Sequence, residues 1–384
     1  MRVALLTNFV PPYRVPMFRA LGARVEALRI LVSTPMEPTR AWGVDWSGMD
    51  VVAQRTLTLH VRHRHPGFTE AVALHLPYDT LAQLRRFRPD VVVTAELGTR
   101  TLLALTYARA LGHCPIVIWA TVSERMERGR GPGRRALRRA LLRRVDGAFV
   151  NGESGASYLR TLGARADTIF RLPQPIDVEM FARAGAARAE SAARRLLLVG
   201  QLTERKGIAP FVQALRRRAA ARPDEPIEVR VVGHGPLRDL LESPDLPPNL
   251  RLELRGAVPY ERLPEEYAQA GILVFPTLAD EWGLVVNEAL AAGVPVLGSV
   301  HAQAVQELVG DGVEGWLFDP ESPADFDRVL ARALATPAAR LEQMRRSARG
   351  RVAALTPDAA ADRMVAALRQ VTGARARAAL VPPA

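Results

Sequence analysis

A single lysine, Lys206, stands among 52 basic residues; all the others are arginine. It sits in "VGQLTERKGI", beside Arg205 and before Gly207, where an apolar run passes into a loop and a helix opens at Ile208. In a chain that uses arginine wherever either cation serves, a surviving lysine suggests a place that wants a compact point charge. Chance is the competing explanation. Two adjacent cations at a helix start form an anion site. Downstream, "ILVFPTLADEWGLVVNEALAAGVPVLGS" puts Asp280 in a loop, Trp282-Gly283-Leu284 at a helix start, and Glu288 near the second turn. One carboxylate could take sugar hydroxyls and the other a ribose, with helix N–H groups facing a diphosphate between them. Alone, Asp280 reads as a helix cap and Glu288 as a solvated helix residue. Beside Arg205 and Lys206, the pair reads as a binding constellation. Two further loops lie nearby in the pattern. His234-Gly235-Pro236 follows "RVVG" and is expected to open another helix, with glycines that let a ligand approach the backbone. By itself "GHGP" is a plain strand-to-helix turn, without the third glycine of a dinucleotide fingerprint. Gly256-Ala257-Val258-Pro259 offers exposed backbone groups that could read the edge of a flat ring.

These loops need rigid elements behind them. Continuous apolar runs, "RVALLT", "RILVS", "DVVVT", "PIVIWA" and "GAFVN", then "RLLLVG", "IEVRVVG", "LRLELRG", "ILVFPT" and "VPVLGS", predict strands buried on both faces. Helical patterns separate them, among them Tyr78 to Phe87, Thr99 to Leu111 and Ser154 to Leu162, so the construction is parallel βαβ. The 384 residues suit two domains. The alanine- and arginine-rich stretch Gln174 to Arg195 holds no strand, so a linker is placed at 176–194. It separates a first domain, 1–175, from a second, 195–355; residues 356–384 read as a C-terminal helix able to cross back to the first domain. In doubly wound sheets, ligands sit beyond the carboxyl ends of the strands.

In their order, "GQLTERKG", "GHGP", "RGAVPYERLPEEYAQAGILVFPT", "DEWGLVVNEALAAGVPVL" and "ELVGDGVEGWLFDP" resemble the family 4 retaining glycosyltransferases of GT-B fold. The opening "NFVPPYRVPMFRAL" is similar to one branch of that family. The resemblance implies two Rossmann-like domains facing across a cleft, an acceptor domain first and a nucleotide-sugar domain second. It implies that Arg205 and Lys206 bind the donor diphosphate, that Asp280 holds the transferred sugar, and that Glu288 binds the ribose. Glu281, Trp282, Gly283 and Leu284 would contribute donor contacts together with Gly200 and Gly235, and Gly256 to Val258 would receive the base. The sequence departs from the family pattern in several places. Asp280 stands where glutamate is usual, Gln201 where arginine is frequent, and Ala302-Gln303-Ala304 where a glycine pair precedes the downstream glutamate, here Glu307. The first-domain histidine of many members is not evident; "VIWATVSERME" offers Trp119, Thr121 and Glu124 instead.

The implied reaction is transfer with retention from a nucleoside diphosphate sugar, UDP favoured over GDP, to an acceptor hydroxyl in glycan or glycoconjugate synthesis. No cofactor and no metal are expected: the only Asp-x-Asp, Asp325 and Asp327, falls in a helical stretch where i and i+2 diverge. His60, His63 and His65 approach metal-ligand spacing but lie among arginines in "LHVRHRHPGF", which reads as a first-domain loop or plain surface rather than a zinc site. Tyr13, Arg14, Glu96 and Glu124 are the acceptor-side candidates. The acceptor is expected to be a glycan, a lipid-linked chain or a small molecule.

The net charge of +12 is concentrated in "RGRGPGRRALRRALLRRVDG". A helix from Pro132 would carry an apolar stripe of Leu137, Leu141, Leu142 and Val145, ringed by Arg134, Arg135, Arg138, Arg139, Arg143 and Arg144. Such a helix, 132–145, could rest on an anionic membrane surface, or pack in the core and solvate its arginines. Without interleaved aromatics it does not suggest nucleic acid. A lone cysteine, Cys114, permits no internal disulfide. No run is long enough to span a bilayer, and "MRVALLTNFV" reads as a first strand rather than a signal peptide. The expected location is cytoplasmic, with peripheral contact at the inner membrane face. Two other classes compete: a catalytically weak GT-B scaffold acting as a basic binding module, and a nucleotide-sugar epimerase or hydrolase.

Overall fold

The computed structural model describes residues 1–37, 43, 45–65, 68–112, 114–186, 192–243 and 245–380. In chain order its elements begin with β1 (Arg2–Thr7), α1 (Val15–Gly22), β2 (Ala27–Val32), β3 (Asp50–Ala53), β4 (Thr56–His65), β5 (Phe68–Pro77), α2 (Thr80–Phe87), β6 (Val91–Thr94) and α3 (Thr99–Tyr107). Next come β7 (Ile116–Ala120), α4 (Pro132–Leu142), β8 (Gly147–Val150), α5 (Glu153–Thr161), β9 (Ile169–Arg171), α6 (Val178–Ala186), β10 (Leu196–Val199), α7 (Ile208–Ala221) and β11 (Ile227–Val232). The chain continues through β12 (Leu250–Gly256), α8 (Leu263–Ala268), β13 (Ile272–Phe275), α9 (Leu284–Ala291), β14 (Val296–Ser299), α10 (Gln303–Leu308) and β15 (Gly315–Phe318). Three helices close it: α11 (Pro323–Leu334), α12 (Ala338–Val352) and α13 (Pro357–Leu380).

The chain divides into two compact units. The first holds Met1–His65, Glu70–Pro175 and the segment from Thr356 onward; the second holds Ile176–Leu355 together with Phe68 and Thr69. The first is built on a seven-stranded sheet of order β3-β2-β1-β6-β7-β8-β9, the second on a six-stranded sheet of order β12-β11-β10-β13-β14-β15. The pairings in both are parallel. Strands such as β10, β13 and β14 are buried at every position, as parallel strands covered by helices on both faces must be. In each sheet the strand order reverses beside the first strand. β1 lies between β2 and β6, and β10 lies between β11 and β13. At such a reversal the loops leave adjacent strands in opposite directions and open a crevice at the carboxyl ends.

α13 completes the first unit. Ala361, Met364 and Leu368 are fully buried in one core with Val3, Leu5, Met17 and Phe18, while Arg24 pairs with Asp358 at 2.8 Å and Asp362 at 2.7 Å.

Several expectations need correction. The presumed linker contains α6, part of the second unit, whose Phe181 meets Tyr267 edge-on at 5.6 Å and Tyr260 at 5.9 Å. Residues 59–65 of the histidine-rich stretch are no loop: His60 and His65 lie in β4, the first arm of a separate two-stranded β4-β5 ladder. The helix expected after Gly235-Pro236 is only a three-residue turn, Arg238–Leu240. α3 stops at Tyr107 and widens into a π-turn over Ala108–Gly112. Sequence reading also passed over β3, β9 and β15, which are short.

Candidate functional site

The chemistry-bearing loops of the second unit gather at the carboxyl ends of its strands. Backbone bonds stitch three of them together: Gly200 N–H donates to Val232 at 2.9 Å, Leu202 N–H to His234 at 2.9 Å, and Gly233 N–H to Gly256 at 2.7 Å. Gly200, Gly235 and Gly256 thus sit on one edge of the sheet, with Val258 half-buried just beyond. The remaining loop, 276–283, follows β13, the neighbour of β10 on the other side of the strand-order reversal.

That adjacency brings together residues 74 apart in sequence. Lys206 Nζ lies 2.5 Å from Asp280 Oδ2, and Arg205 Nη1 lies 3.5 Å from the same oxygen. Leu278 N–H and the Thr277 hydroxyl both donate to the Arg205 carbonyl, at 2.8 and 3.0 Å, fastening one loop to the other. Lys206 Nζ also stands 5.1 Å from the centre of the Phe275 ring, within cation–π range. The contact explains how an ammonium is held here on a mostly buried stem. The turn that presents it depends on Gly207, whose φ is 68° and whose missing Cβ would stand 2.0 Å from the Pro276 carbonyl oxygen.

Asp280 is 9% exposed. Burial alone would raise its pKa, but the charges of Lys206 and then Arg205 outweigh burial and hold the carboxyl below its ordinary value. Its other oxygen accepts from Trp282 N–H at 3.2 Å. Asp280 therefore does not cap α9. Gly283, with φ of 103°, occupies the cap position, where a Cβ would meet the Phe275 ring at 2.6 Å. Trp282 is buried with its indole N–H on Asn287 Oδ1 at 2.9 Å, and the Glu281 carbonyl accepts from Gln303 Nε2 at 2.7 Å. The α9 N-terminus is thus fixed from both sides, with Leu284 as its first residue.

Glu288 differs from a solvated helix residue. It is 3% exposed in the second turn of α9 and accepts the Tyr267 hydroxyl at 2.7 Å. Burial lifts its carboxyl to about 7, despite the opposing hydrogen bond from Tyr267. The structure groups Lys206, Arg205 and Asp280 directly, and sets Glu288 deeper, against Tyr267. Sequence reading missed Tyr267 and Asn287; neither spacing nor charge singles out a tyrosine in α8 as the partner of a glutamate 21 residues on.

The acceptor-side candidates occupy loops at the carboxyl ends of the first unit's strands, each with partners of its own. Tyr13 and Arg14 form a turn after β1, and the Arg14 guanidinium stacks 4.4 Å over the buried Trp119 ring. Glu96 accepts from Arg100 N–H at 2.6 Å and pairs with the Arg100 guanidinium at 2.9 Å. Glu124 is exposed and accepts the Ser157 hydroxyl at 2.8 Å. Arg100, which sequence reading missed, is 1% exposed and joins Glu96 to Asn8 and to Ser33, whose hydroxyl is 3.0 Å away. Its position one residue inside a helix that follows a Gly gave no sign of this.

α4 begins at Pro132 as expected, but its apolar stripe is used inside the protein. Leu141 and Leu142 belong to buried clusters, and Leu137 points outward at 41% exposure. Arg138, expected on the solvated ring, is 4% exposed, because Glu127 and the Tyr158 hydroxyl, 2.8 Å away, supply partners for it. No helix among the described residues is long and apolar enough to cross a membrane. Asp325 and Asp327 diverge: the first bonds Asp319 N–H at 2.9 Å and the second pairs with Arg217 at 2.6 Å. Sequence reading overlooked one potential ligand cluster, in which the His301, Asp319 and Glu321 donor atoms lie within 4.8 Å of one another.

Residues 193–336 match the family described as Glycosyl transferases group 1. A D-inositol 3-phosphate glycosyltransferase of Nocardiopsis dassonvillei is 32% identical over 221 residues, 52% of this chain and 50% of that protein. The chain spans about half the length of the curated relatives it matches, roughly three fifths in one case. Among solved structures, sucrose-phosphate synthase from Thermosynechococcus elongatus superposes with a TM-score of 0.74 at 19% identity, covering 97% of this chain and 100% of that one. Anabaena HepE in complex with UDP gives 0.71 at 13% identity, covering 96% and 100%. At these identities the likeness establishes the fold, which is that of the GT-B glycosyltransferases.

Proposed function

We propose, from the premise that the second unit carries a group 1 glycosyl transferase domain in a chain of GT-B fold, that the protein transfers a sugar from a nucleoside diphosphate donor to an acceptor hydroxyl with retention. The observation that carries this reading is the Lys206–Asp280–Arg205 cluster, two cations and one carboxylate at the strand-order reversal. Lys206 and Arg205 receive the diphosphate, and Asp280, relieved of part of its pairing, takes hydroxyls of the sugar. As the anomeric carbon–phosphate oxygen bond breaks, the charge growing on the diphosphate is met by both cations. Donors already aimed at developing charge are each worth a few kcal/mol, ~3 for one hydrogen-bond donor. The acceptor oxygen bonds the anomeric carbon on the face that the phosphate leaves, and its proton passes to a departing phosphate oxygen. No bound metal is required, since the two side chains supply the positive charge. A uridine donor is favoured, in keeping with the UDP held by HepE. Glu288 is assigned to the ribose. The acceptor belongs to glycan or glycoconjugate synthesis, as the names of the relatives suggest.

Thermal shifts with UDP, GDP, ADP and their sugar conjugates test the donor site. UDP should stabilise the wild type by about 2.7 kcal/mol at a hundredfold excess over Kd. Lys206→Ala should abolish the shift, and Lys206→Arg should not restore it, because a flat guanidinium fork does not reproduce the contact of a compact ammonium with the phosphate and Asp280. No shift with any nucleotide would leave a basic scaffold without donor chemistry. Donor consumed equally fast without acceptor would make the protein a hydrolase or epimerase instead. NMR of the product anomer decides retention.

A further inference from the structure

The first unit contains a pocket, lined in part by the acceptor-side candidate Glu124, that the donor chemistry above does not use. It has a volume of about 390 Å³ and lies between the loop after β7, the first turn of α4, and α5. Four arginines line it, Arg128, Arg130, Arg134 and Arg135, against two carboxylates, Glu124 and Glu127, so its wall carries two positive charges in excess. Glu127 is already shared: it lies 3.5 Å from Arg130, 3.9 Å from Arg134 and in direct contact with buried Arg138. One buried carboxylate cannot neutralise three guanidinium groups. Arg134 has its pKa lowered to about 10, first by partial burial and then by the charges of Arg138 and Arg130. Arg138 Nε, in a side chain 96% withdrawn from solvent, has no hydrogen-bond partner among the described residues. α4 adds the positive end of an eleven-residue helix with no side-chain cap at its N-terminus. Excess charge of two, forked donors and a hydroxyl from Tyr158 on the wall together suit a dianion with several acceptor oxygens. The volume lies within the range that holds a small ligand.

We propose that this pocket binds a phosphate monoester and that the phosphate belongs to the acceptor; the second half of that inference rests on the transfer reading above. The phosphate takes the uncompensated charge of Arg134 and Arg135. Such a site would select phosphorylated sugars, polyols or lipid phosphates over their neutral counterparts.

Calorimetry on the full chain with glycerol 3-phosphate, with glycerol, and with vesicles containing phosphatidic acid tests the site. Glycerol 3-phosphate should bind and glycerol should not. Arg134→Gln and Arg135→Gln, both on exposed positions, should each weaken binding about tenfold, the loss of one charge-assisted contact. Glu124→Gln should tighten it several-fold by removing a repulsive carboxylate. Binding of the soluble ester alone supports the site and assigns it to soluble acceptors; additional binding of vesicles, lost in the same arginine variants, supports it and extends it to lipid phosphates. Equal binding of glycerol and its phosphate, or phosphate binding unmoved by both arginine substitutions, overturns the proposal. Titration with UDP, GDP and ADP in the same preparations separates the two readings: phosphate bound without any of the three removes the transfer reading and leaves the pocket, while a nucleotide bound without phosphate does the reverse.

Discussion

Glu288 sets a pH dependence that can be calculated in sign. Its carboxyl titrates near 7 in the folded protein and near 4.5 when exposed, so the native state holds its proton more tightly than the unfolded chain. The contribution to stability is complete below about pH 4.5 and is lost as pH rises through 7. A glutamine keeps a carbonyl oxygen for the Tyr267 hydroxyl and cannot ionise. Glu288→Gln should therefore match the wild type at pH 4 and exceed it at pH 8, by up to about 3 kcal/mol. Denaturant melts at both pH values check this, and an unchanged difference between them would show that Glu288 ionises freely. At this same scale Asp280 behaves oppositely: burial is overcome by two cations, and the carboxylate stays charged. Two acids eight residues apart are pushed in opposite directions by what their helix and loop bring near them.

The loop between β10 and α7 is the element on which the proposed donor chemistry depends. Gly207→Ala would combine a left-handed backbone conformation with a Cβ 2.0 Å from the Pro276 carbonyl oxygen. We expect a loss of about 3 kcal/mol and of UDP binding together, since the strained turn must move Lys206 away from Asp280. A melting scan with and without UDP reads both; a variant that binds UDP with wild-type affinity would show that the turn can relax. The strands behind this loop were legible because buried parallel strands are apolar at consecutive positions, as in "ILVF" and "LLLV". The Lys206–Asp280 neighbourhood was legible as two charged loops, but their contact was not, because spacing along a chain carries no strand order. What sequence concealed has a common cause. β4 is rich in arginine and histidine and lacks the apolar continuity of the core strands. Arg138 is buried only because Glu127, on another element, supplies its counter-charge. Glu288 looked solvated until Tyr267 covered it.

At the scale of the molecule, the two units differ in how the chain supplies them. The second is one continuous stretch apart from Phe68 and Thr69, whereas the first needs residues from both ends of the sequence. Leu368 and Met364 on α13 are fully buried in the first unit's core, so Leu368→Ala and Met364→Ala should each cost about 2–5 kcal/mol. Hydrogen exchange should quicken in β1, β6 and α1 and stay unchanged in β10 and β13. Equal quickening in both sheets would show that the units unfold as one. The arrangement also bears on manufacture in the cell. Synthesis proceeds from the N-terminus, so the unit begun first cannot close its core until the final helix has been translated. The second unit, started later, has every strand it needs well before that. The nascent chain would then carry a finished six-stranded sheet and an open seven-stranded one, and termination before Leu368 would strand the half that was made first.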